Sequence, residues 1–475
     1  MTPGEKKAAR VEWFFANHLH LSKDRYAGRP FVLEKWQLDN IVRPVFGTLD
    51  AKGRRKYSDV VIGLPRWHGK TELAAGMLLT CAITEPTPGG EYYIVATTRQ
   101  QAAIAFKAIK TMVQRDPLLA SACKPYKNVI EIPELDATIR TMSWDADTAQ
   151  GFHPTVAIID EYHVHRDASM REAMLTGMVG SQNGLLITIS TAGAKRSGPL
   201  WDLLNERKPA SRYIYWCGAT AEDDPHDPKV WRRCNPAKWI TLEQLRKQYR
   251  QLPTPVFTRL HLNRFASSDT YEAAIRSSVW MSPENSRKPV YDPELPTYMA
   301  VDAADKRDRT AFTIVQVDND GIFHLWADIR EADRDRGYTD YLSLEEDIKK
   351  AATEMGTERI AFDRRQMGRS MQQLSDERFP VEEFNQSNEN MCAASQFLFE
   401  LAQANKLRHG GDPNLAEHIA NAAAYERPPL GWRFAKSDRN DPTCKIDAAI
   451  STAMACWIAQ ASRPSVYESR GLLTI

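Results

Sequence analysis

Cysteine is sparse and unpatterned. The seven cysteines stand at 81, 123, 217, 234, 392, 444 and 456, an odd number, and no two have C-x-x-C spacing. A disulfide framework or a cysteine-built zinc site is therefore not expected, and free thiols suit a reducing compartment. Charge of one sign is missing as well. The 62 Lys and Arg against 61 Asp and Glu leave a net +1. That excludes a protein coated in positive charge, so any polyanion must be met by local patches. Arg232-Arg233, Lys306-Arg307-Asp308-Arg309 and Arg364-Arg365 are candidates, and the plain reading of each is solvated surface. Long apolar runs are lacking too. The longest, around Ala74 to Ile83, is too short to span a bilayer, and Met-Thr-Pro-Gly-Glu-Lys-Lys leads into no apolar signal segment. A cytoplasmic protein without membrane contact is the expectation. Repeats and low-complexity segments are absent, and 475 residues exceed one ordinary core, so two or three domains are expected.

What is present is a twofold α/β pattern. In 1–205, short β-branched runs (58–63, 92–97, 156–160, 185–191) alternate with helical stretches, the signature of a mostly parallel sheet flanked by helices. Residues 206–290 carry Asp-Pro, Asn-Pro, Pro-Thr-Pro and Ser-Pro steps and read as a lid and linker. Within them Thr241 and Gln244 have the spacing of a capping box at the start of a helix over 241–251. A second α/β region spans 291–465, and 466–475 reads as a tail. It opens with a strand at 298–303. Strands at 311–317 and 322–329 follow, joined by the turn Asp318-Asn319-Asp320-Gly321. Then come a helix at 340–355, a strand at 359–363, a helix at 368–377 and a strand at 381–385. Helices near 391–406, 413–424 and 446–460 complete it.

Gly69-Lys70-Thr71 follows the first strand and opens a helix, the place of a phosphate-binding loop. There backbone N–H groups cradle phosphates, Lys70 reaches the β/γ oxygens and the Thr71 hydroxyl holds Mg²⁺. The usual first glycine is displaced: Leu64 occupies its position, and Gly63 lies one residue further back. The apolar strand 155–159 ends in Asp160-Glu161, suited to holding Mg²⁺ and to orienting or deprotonating a water. The strand 185–191 ends in Ser190-Thr191-Ala192-Gly193, whose hydroxyls suit contact with a γ-phosphate. Arg66 in the loop reads as a γ-phosphate contact or a structural ion pair. Trp36-Gln37 reads as an adenine contact or as core and surface, and Gln150-Gly151 as a further nucleotide-side contact. His163 and His165 alternate as strand neighbours would, but read better as supporting or surface residues than as a metal pair. Together these motifs predict ATP hydrolysis.

Three aspartates mark a second site. Asp302 lies in an apolar strand, Asp363 ends another, and Asp447 opens an apolar helix. A carboxylate in such a place needs a partner or a metal. Two of them about 4 Å apart repel by roughly 4 kcal/mol at an effective dielectric near 20, so a cluster calls for cations that favour hard oxygen donors. Asp305 and Asp308 read as an added ligand or as a charged turn.

In the order Arg66, Gly69-Lys70-Thr71, Asp160-Glu161, Ser190-Thr191-Ala192, Asp302, Asp363 and Asp447, the chain resembles the large terminase subunits of tailed bacteriophages. The resemblance spans nearly the whole chain. It implies an N-terminal P-loop ATPase of the ASCE type and a C-terminal ribonuclease H-like nuclease. By that pattern Lys70, Thr71, Asp160 and Glu161 serve the ATPase, and Asp302, Asp363 and Asp447 hold two Mg²⁺ or Mn²⁺. It also implies double-stranded DNA, a small terminase subunit and a procapsid portal as partners, a pentameric ring on the portal, and the cytoplasm of an infected host. Two other readings are a helicase or remodelling ATPase with a non-cleaving C-terminal domain, and a C-terminal docking module.

Overall fold

The computed structural model describes residues 1–143, 152–181, 183–265, 272–303, 310–330, 340–427, 430–438, 441 and 443–462. The chain divides into two compact units, Met1–Arg246 with Phe257–Ala266, and Lys247–Val256 with Ser267–Ile475.

The first unit is built on strands β1 (Asp59–Gly63), β2 (Glu91–Ala96), β3 (Lys124–Pro125), β4 (Val129–Ile132), β5 (Ala137–Ser143), β6 (Pro154–Ile159), β7 (Leu185–Ser190) and β8 (Arg212–Trp216). They form one sheet in the order β3-β4-β5-β2-β6-β7-β1-β8. The pairs from β5 through β8 are parallel, and only the β3–β4–β5 edge is antiparallel. Alternation along each strand feeds two cores. Val60 and Ile62 of β1 and Val156 and Ile158 of β6 face one core, with Phe15, Leu78 and Ile109 from flanking helices. Val61, Ala157 and Ile159 face the other, with Tyr162, Met174 and Leu203. The strands read at 58–63, 92–97, 156–160 and 185–191 are thus present, shifted by a residue or two. Edge strands β3, β4 and β5 carry a weaker pattern and were not anticipated. β8 lies beyond residue 205, so the sheet extends into the stretch read as lid and linker. There Thr241 N donates to Gln244 Oε1 (2.8 Å) and Gln244 N to Thr241 Oγ1 (3.2 Å), which caps the helix Leu242–Gln251 as expected.

The second unit contains β9 (Thr297–Asp302), β10 (Thr310–Val317), β11 (Phe323–Arg330), β12 (Thr357–Phe362), β13 (Val381–Glu383) and β14 (Leu407–Arg408), ordered β13-β12-β9-β10-β11-β14. An antiparallel meander β9–β10–β11 is extended by β12 and β13, both parallel to β9, in the expected ribonuclease H-like arrangement. The meander turn forms as read: Asp318 Oδ1 accepts from Asp320 N (3.0 Å) and Ile322 N (2.8 Å), and Gly321 takes φ 73°. One face packs on Leu344 and Ile348 of the helix Tyr341–Glu354. The other is tied to the helix Asp447–Ala461, where Thr313 Oγ1 lies 2.9 Å from Ser451 Oγ and 3.0 Å from Thr452 Oγ1. The helix expected over 413–424 spans only Pro413–Asn421. Residues Ala422–Arg427 form β15, paired antiparallel with β16 (Gly431–Lys436). The Ala422-Ala423-Ala424 run favours helix locally, but pairing with Phe434, Ala435 and Lys436 overrides that preference.

Close packing constrains the end of β1. A Cβ on Gly63 would sit 2.0 Å from the Trp216 ring on β8, which no rotamer change of the new methyl could relieve. His68, in the loop that follows, and His261 are buried at 0% and 1% exposure. His68 sits edge-on to Trp36 (centroids 5.8 Å), and His261 lies against Trp67 (4.6 Å) and Phe257 (5.2 Å). Burial pushes both imidazoles down to about 4, helped for His261 by the Arg66 charge.

Two outcomes follow. Gly63→Ala should destabilise the first unit by roughly 1–3 kcal/mol through overpacking, read as a lowered denaturant midpoint. Below the unfolded imidazole value of 6.5, the unfolded chain takes up protons that the folded one refuses. Stability is therefore complete above that value and falls toward pH 4, by up to about 1.4 kcal/mol per pH unit per histidine. Urea unfolding between pH 7.5 and 5 should show this slope, and His261→Gln should flatten it. An unchanged slope in the variant would contradict the assignment.

Candidate functional sites

The helix Lys70–Thr84 begins directly after the loop that leaves β1, with Gly69 as its N-cap in the left-handed region (φ 66°). Trp67 also has positive φ (70°), and its carbonyl accepts from Trp239 Nε1 (2.7 Å), which holds a conformation that is unfavourable for a bulky residue. The first half of the loop is fastened: Leu64 N donates to Ser190 O (3.1 Å), and Arg66 N donates to Leu260 O (2.8 Å). Lys70 is buried. Its Nζ donates to the carbonyls of Leu64 (3.0 Å) and Pro65 (3.2 Å). Burial lowers its pKa, opposed by the charges of Glu161 and Asp160.

Two strands away, β6 delivers the acidic pair. Asp160 Oδ2 accepts from Thr71 Oγ1 (3.0 Å), so the loop after β1 and the end of β6 meet across β7. Burial and the neighbouring Glu161 charge push Asp160 up to about 6. Glu161 adopts φ 48°, and its backbone N donates to Asp160 Oδ1 (2.8 Å). Burial would raise its pKa, but His163, Lys70 and Arg66 together bring it down to about 2. The two neighbouring carboxyls are thus pushed apart, Asp160 upward and Glu161 downward. His163 joins this site rather than pairing with His165. Its Nδ1 is 3.2 Å from both Glu161 Oε2 and Ser190 Oγ, and its N donates to Ser190 Oγ (3.0 Å). His165 lies against the Tyr162 ring instead, tilted by 46° (centroids 5.2 Å).

The remaining expected residues are placed less uniformly. Ser190 is thereby built into the site, while Thr191 is buried beside it and its carbonyl accepts from Ser190 Oγ (2.9 Å). Arg66 is exposed in the loop. Trp36 meets the loop through His68, with its Nε1 donating to Glu34 Oε2 (2.7 Å). Gln37 is buried, and its Oε1 accepts from Glu34 N (2.8 Å), a capping bond rather than an open amide. Gln150 and Gly151 lie outside the described residues. Asn263 was missed: its Oδ1 accepts from Ala192 N (2.7 Å) and its Nδ2 donates to Cys217 O (3.0 Å), stitching the end of β7 to β8. A lone buried Asn has no sequence signature.

In the second unit, Asp302 ends β9 and Asp363 follows β12. The parallel register Phe362↔Val301 puts the two aspartates side by side. Asp447 is the first residue of its helix. The Ala448 N–H that an acidic cap would take goes to His418 Nδ1 (3.0 Å). Ile446, the residue before Asp447, and Ile450 line the same cavity of about 270 Å³ as Asp302. Among the described residues, no three His, Cys, Asp or Glu side chains form a ready metal cage. Gln386, also missed, donates from Nε2 to Asp302 Oδ1 (2.9 Å). Asp305, Asp308 and the Lys306–Arg309 run lie outside the described residues, as do the side chains of Arg364 and Arg365. The Arg232-Arg233 run is not an open basic patch. Arg232 caps carbonyls of Asn235 (3.2 Å) and Ile240 (3.0 Å), and Arg233 pairs with Asp223.

Comparison with known proteins covers both units. Residues 36–208 match the terminase large subunit ATPase domain, and residues 321–463 match the terminase large subunit endonuclease domain. The large terminase subunit of Enterobacteria phage HK97 is 25% identical over 96% of this chain and 95% of its own. Protein YmfN of Escherichia coli K12 is 24% identical over 68% of this chain and 80% of its own. Among solved structures, the HK97 large terminase covers 95% of this chain and all (100%) of its own at 22% identity, with a TM-score of 0.47. The large terminase of a thermophilic bacteriophage covers 83% of this chain and 93% of its own at 10% identity, also with a TM-score of 0.47. Two domain matches in the order of the two α/β units, carrying the phosphate loop and acidic pair in the first and Asp363 and Asp447 in the second, place the chain in the terminase large subunit family: an ATPase and an endonuclease in one polypeptide, the motor that packages DNA.

Proposed function

We propose that nucleotide hydrolysis and DNA cutting use separate centres built from the residues above. In the ATPase, Lys70 and the N–H groups at the helix start hold the phosphates, Thr71 and Asp160 hold Mg²⁺, and Glu161 orients the attacking water and takes its proton. The observation that carries this reading is the 3.0 Å contact between Thr71 Oγ1 and Asp160 Oδ2, which gathers two hard oxygen donors from different strand ends. A divalent ion held there would offset charge on the phosphate oxygens. Lys70, hydrogen-bonded to loop carbonyls, exchanges them for phosphate oxygens. Glu161 stays ionised with His163 beside it, and Ser190 sets the His163 ring. Thr191 and Arg66 serve the γ-phosphate side, and Trp36 the adenine side.

In the nuclease, Asp302, Asp363 and Asp447 hold two Mg²⁺ or Mn²⁺. The register of β9 against β12 supports this set, since neighbouring carboxylates without a cation repel. Ions held by these residues would supply an activated water and stabilise the leaving oxygen of a phosphodiester. Gln386 keeps one oxygen of Asp302 oriented. The part of 206–290 that follows β8 acts as lid and linker between the ATPase, which extends from residue 1 through β8, and the nuclease (291–465). Double-stranded DNA is the substrate, with a small terminase subunit and a procapsid portal as partners. The chain works as a pentameric ring on the portal in the cytoplasm of an infected host. No described helix is long and apolar enough to cross a membrane.

Separate centres predict separable losses in the full-length chain. Lys70→Ala should lower ATPase activity by on the order of 10²–10³ while leaving Mn²⁺-dependent plasmid cleavage measured without nucleotide. Asp363→Ala should do the reverse, and EDTA should stop cutting by the parent chain. Loss of nucleotide-free cutting in Lys70→Ala, with cutting intact in Asp363→Ala, would sink the assignment.

A further inference from the structure

The cavity beside Asp302 is lined on its other side by the β15–β16 hairpin. Tyr425 and Arg427 are two residues apart on β15, and Tyr425 pairs directly with Arg433 on β16, so the three side chains share one face. Arg427 lies over the Tyr425 ring at 4.2 Å from its centroid. Both guanidinium groups donate to one neutral oxygen, Asn388 Oδ1, at 3.2 Å from Arg427 and 3.4 Å from Arg433. Among the described residues neither forms an ion pair with a carboxylate. Both are half-buried, and each has five N–H donors to satisfy. Burial, reinforced by the Arg427 charge, holds Arg433 below the usual arginine value, while Cys392 and Asp302 act the other way.

Two cations sharing an uncharged amide oxygen beside a polar cavity are an unbalanced arrangement. An anion with several oxygens would balance it, and planar guanidinium groups bind phosphate in a bidentate fork. We propose that Arg427 and Arg433 clamp a phosphodiester of the DNA strand to be cut, holding it against Asp302. The proposal rests on Asp302 being part of the nuclease centre. It also accounts for the β15–β16 hairpin, which carries positive charge to a pole of the sheet that otherwise presents carboxylates, where DNA would be repelled. Tyr425 supports the Arg427 guanidinium from below through a cation–π contact.

The test uses the full-length chain without nucleotide. Binding of a short fluorescent duplex is read by anisotropy across a salt series in Ca²⁺, and cutting is read in Mn²⁺. For the Arg427→Gln/Arg433→Gln double variant, affinity should fall about tenfold, the slope of log K against log salt should shrink by about 2, and cutting should drop by on the order of 10². The Arg427→Lys/Arg433→Lys variant keeps charge and side-chain length. It should recover the salt slope but not full cutting, because the fork is lost. In the parent chain, duplex DNA should protect Arg427 and Arg433 from an arginine-modifying dicarbonyl, a readout that needs no variant to fold. Unchanged affinity and salt slope in the glutamine variant, or no protection by duplex, overturns the proposal. So does stabilisation by inorganic phosphate alone with duplex binding untouched, which marks a free-anion pocket. Asp363→Asn runs in parallel: if it still cuts, the carboxylate assignment fails, while the affinity and protection data still decide the arginine clamp.

Discussion

Charge held out of water at the carboxyl end of a buried strand is the constraint on which this molecule turns. The strands of the first sheet are apolar on both faces, so whatever they present at their ends meets a low-dielectric surrounding. Lys70, Asp160 and Glu161 are gathered there, and each alters the others. Glu161 helps to keep Lys70 charged, and Lys70 and His163 hold Glu161 ionised. Asp160, which must share the field of Glu161, has its pKa raised to about 6. Lys70 and Asp160, both buried, depend on these partners, because a lone ion is costly to desolvate.

The rest of the first unit serves to keep that gathering in place. β7 lies between the strand that launches the phosphate loop and the strand that ends in the acidic pair, and its last residues touch both. Ser190 O receives Leu64 N, and Ser190 Oγ receives His163 N. Asn263 then joins the residue after Thr191 to Cys217, so the segment returning from beyond residue 256 is bonded to the same junction. In the second unit the same constraint has a different solution. Asp302 and Asp363 are set side by side by strand register, Gln386 takes one oxygen, and an arginine-bearing hairpin closes the cavity beside them.

Much of this was legible in the residues. The glycine-lysine-threonine step, the apolar strand ending in two acids, and the three aspartates at strand and helix ends each state a chemistry that their neighbours would not tolerate by accident. The Asp318–Gly321 turn and the Thr241/Gln244 cap were legible because turns and caps are decided by a few adjacent residues. The Ala422–Ala424 run misled for the opposite reason. Alanine favours helix locally, and only pairing with β16 makes it a strand. The edge strands β3 to β5, with mixed patterns, depended likewise on the neighbours they pair with.

The sequence by itself determined the order of the two α/β units, the identity of the nucleotide and metal-binding candidates, and the absence of any cysteine framework. These are properties of local pattern and of residue chemistry. Only the tertiary structure decided which of those candidates meet. It joined Thr71 to Asp160 across β7, made His163 a partner of Glu161 rather than of His165, turned Arg232 and Arg233 into structural contacts, and brought Gln386, Arg427 and Arg433 to Asp302. Each depends on strand order, register or a hydrogen bond between residues tens of positions apart, and no local pattern encodes that distance.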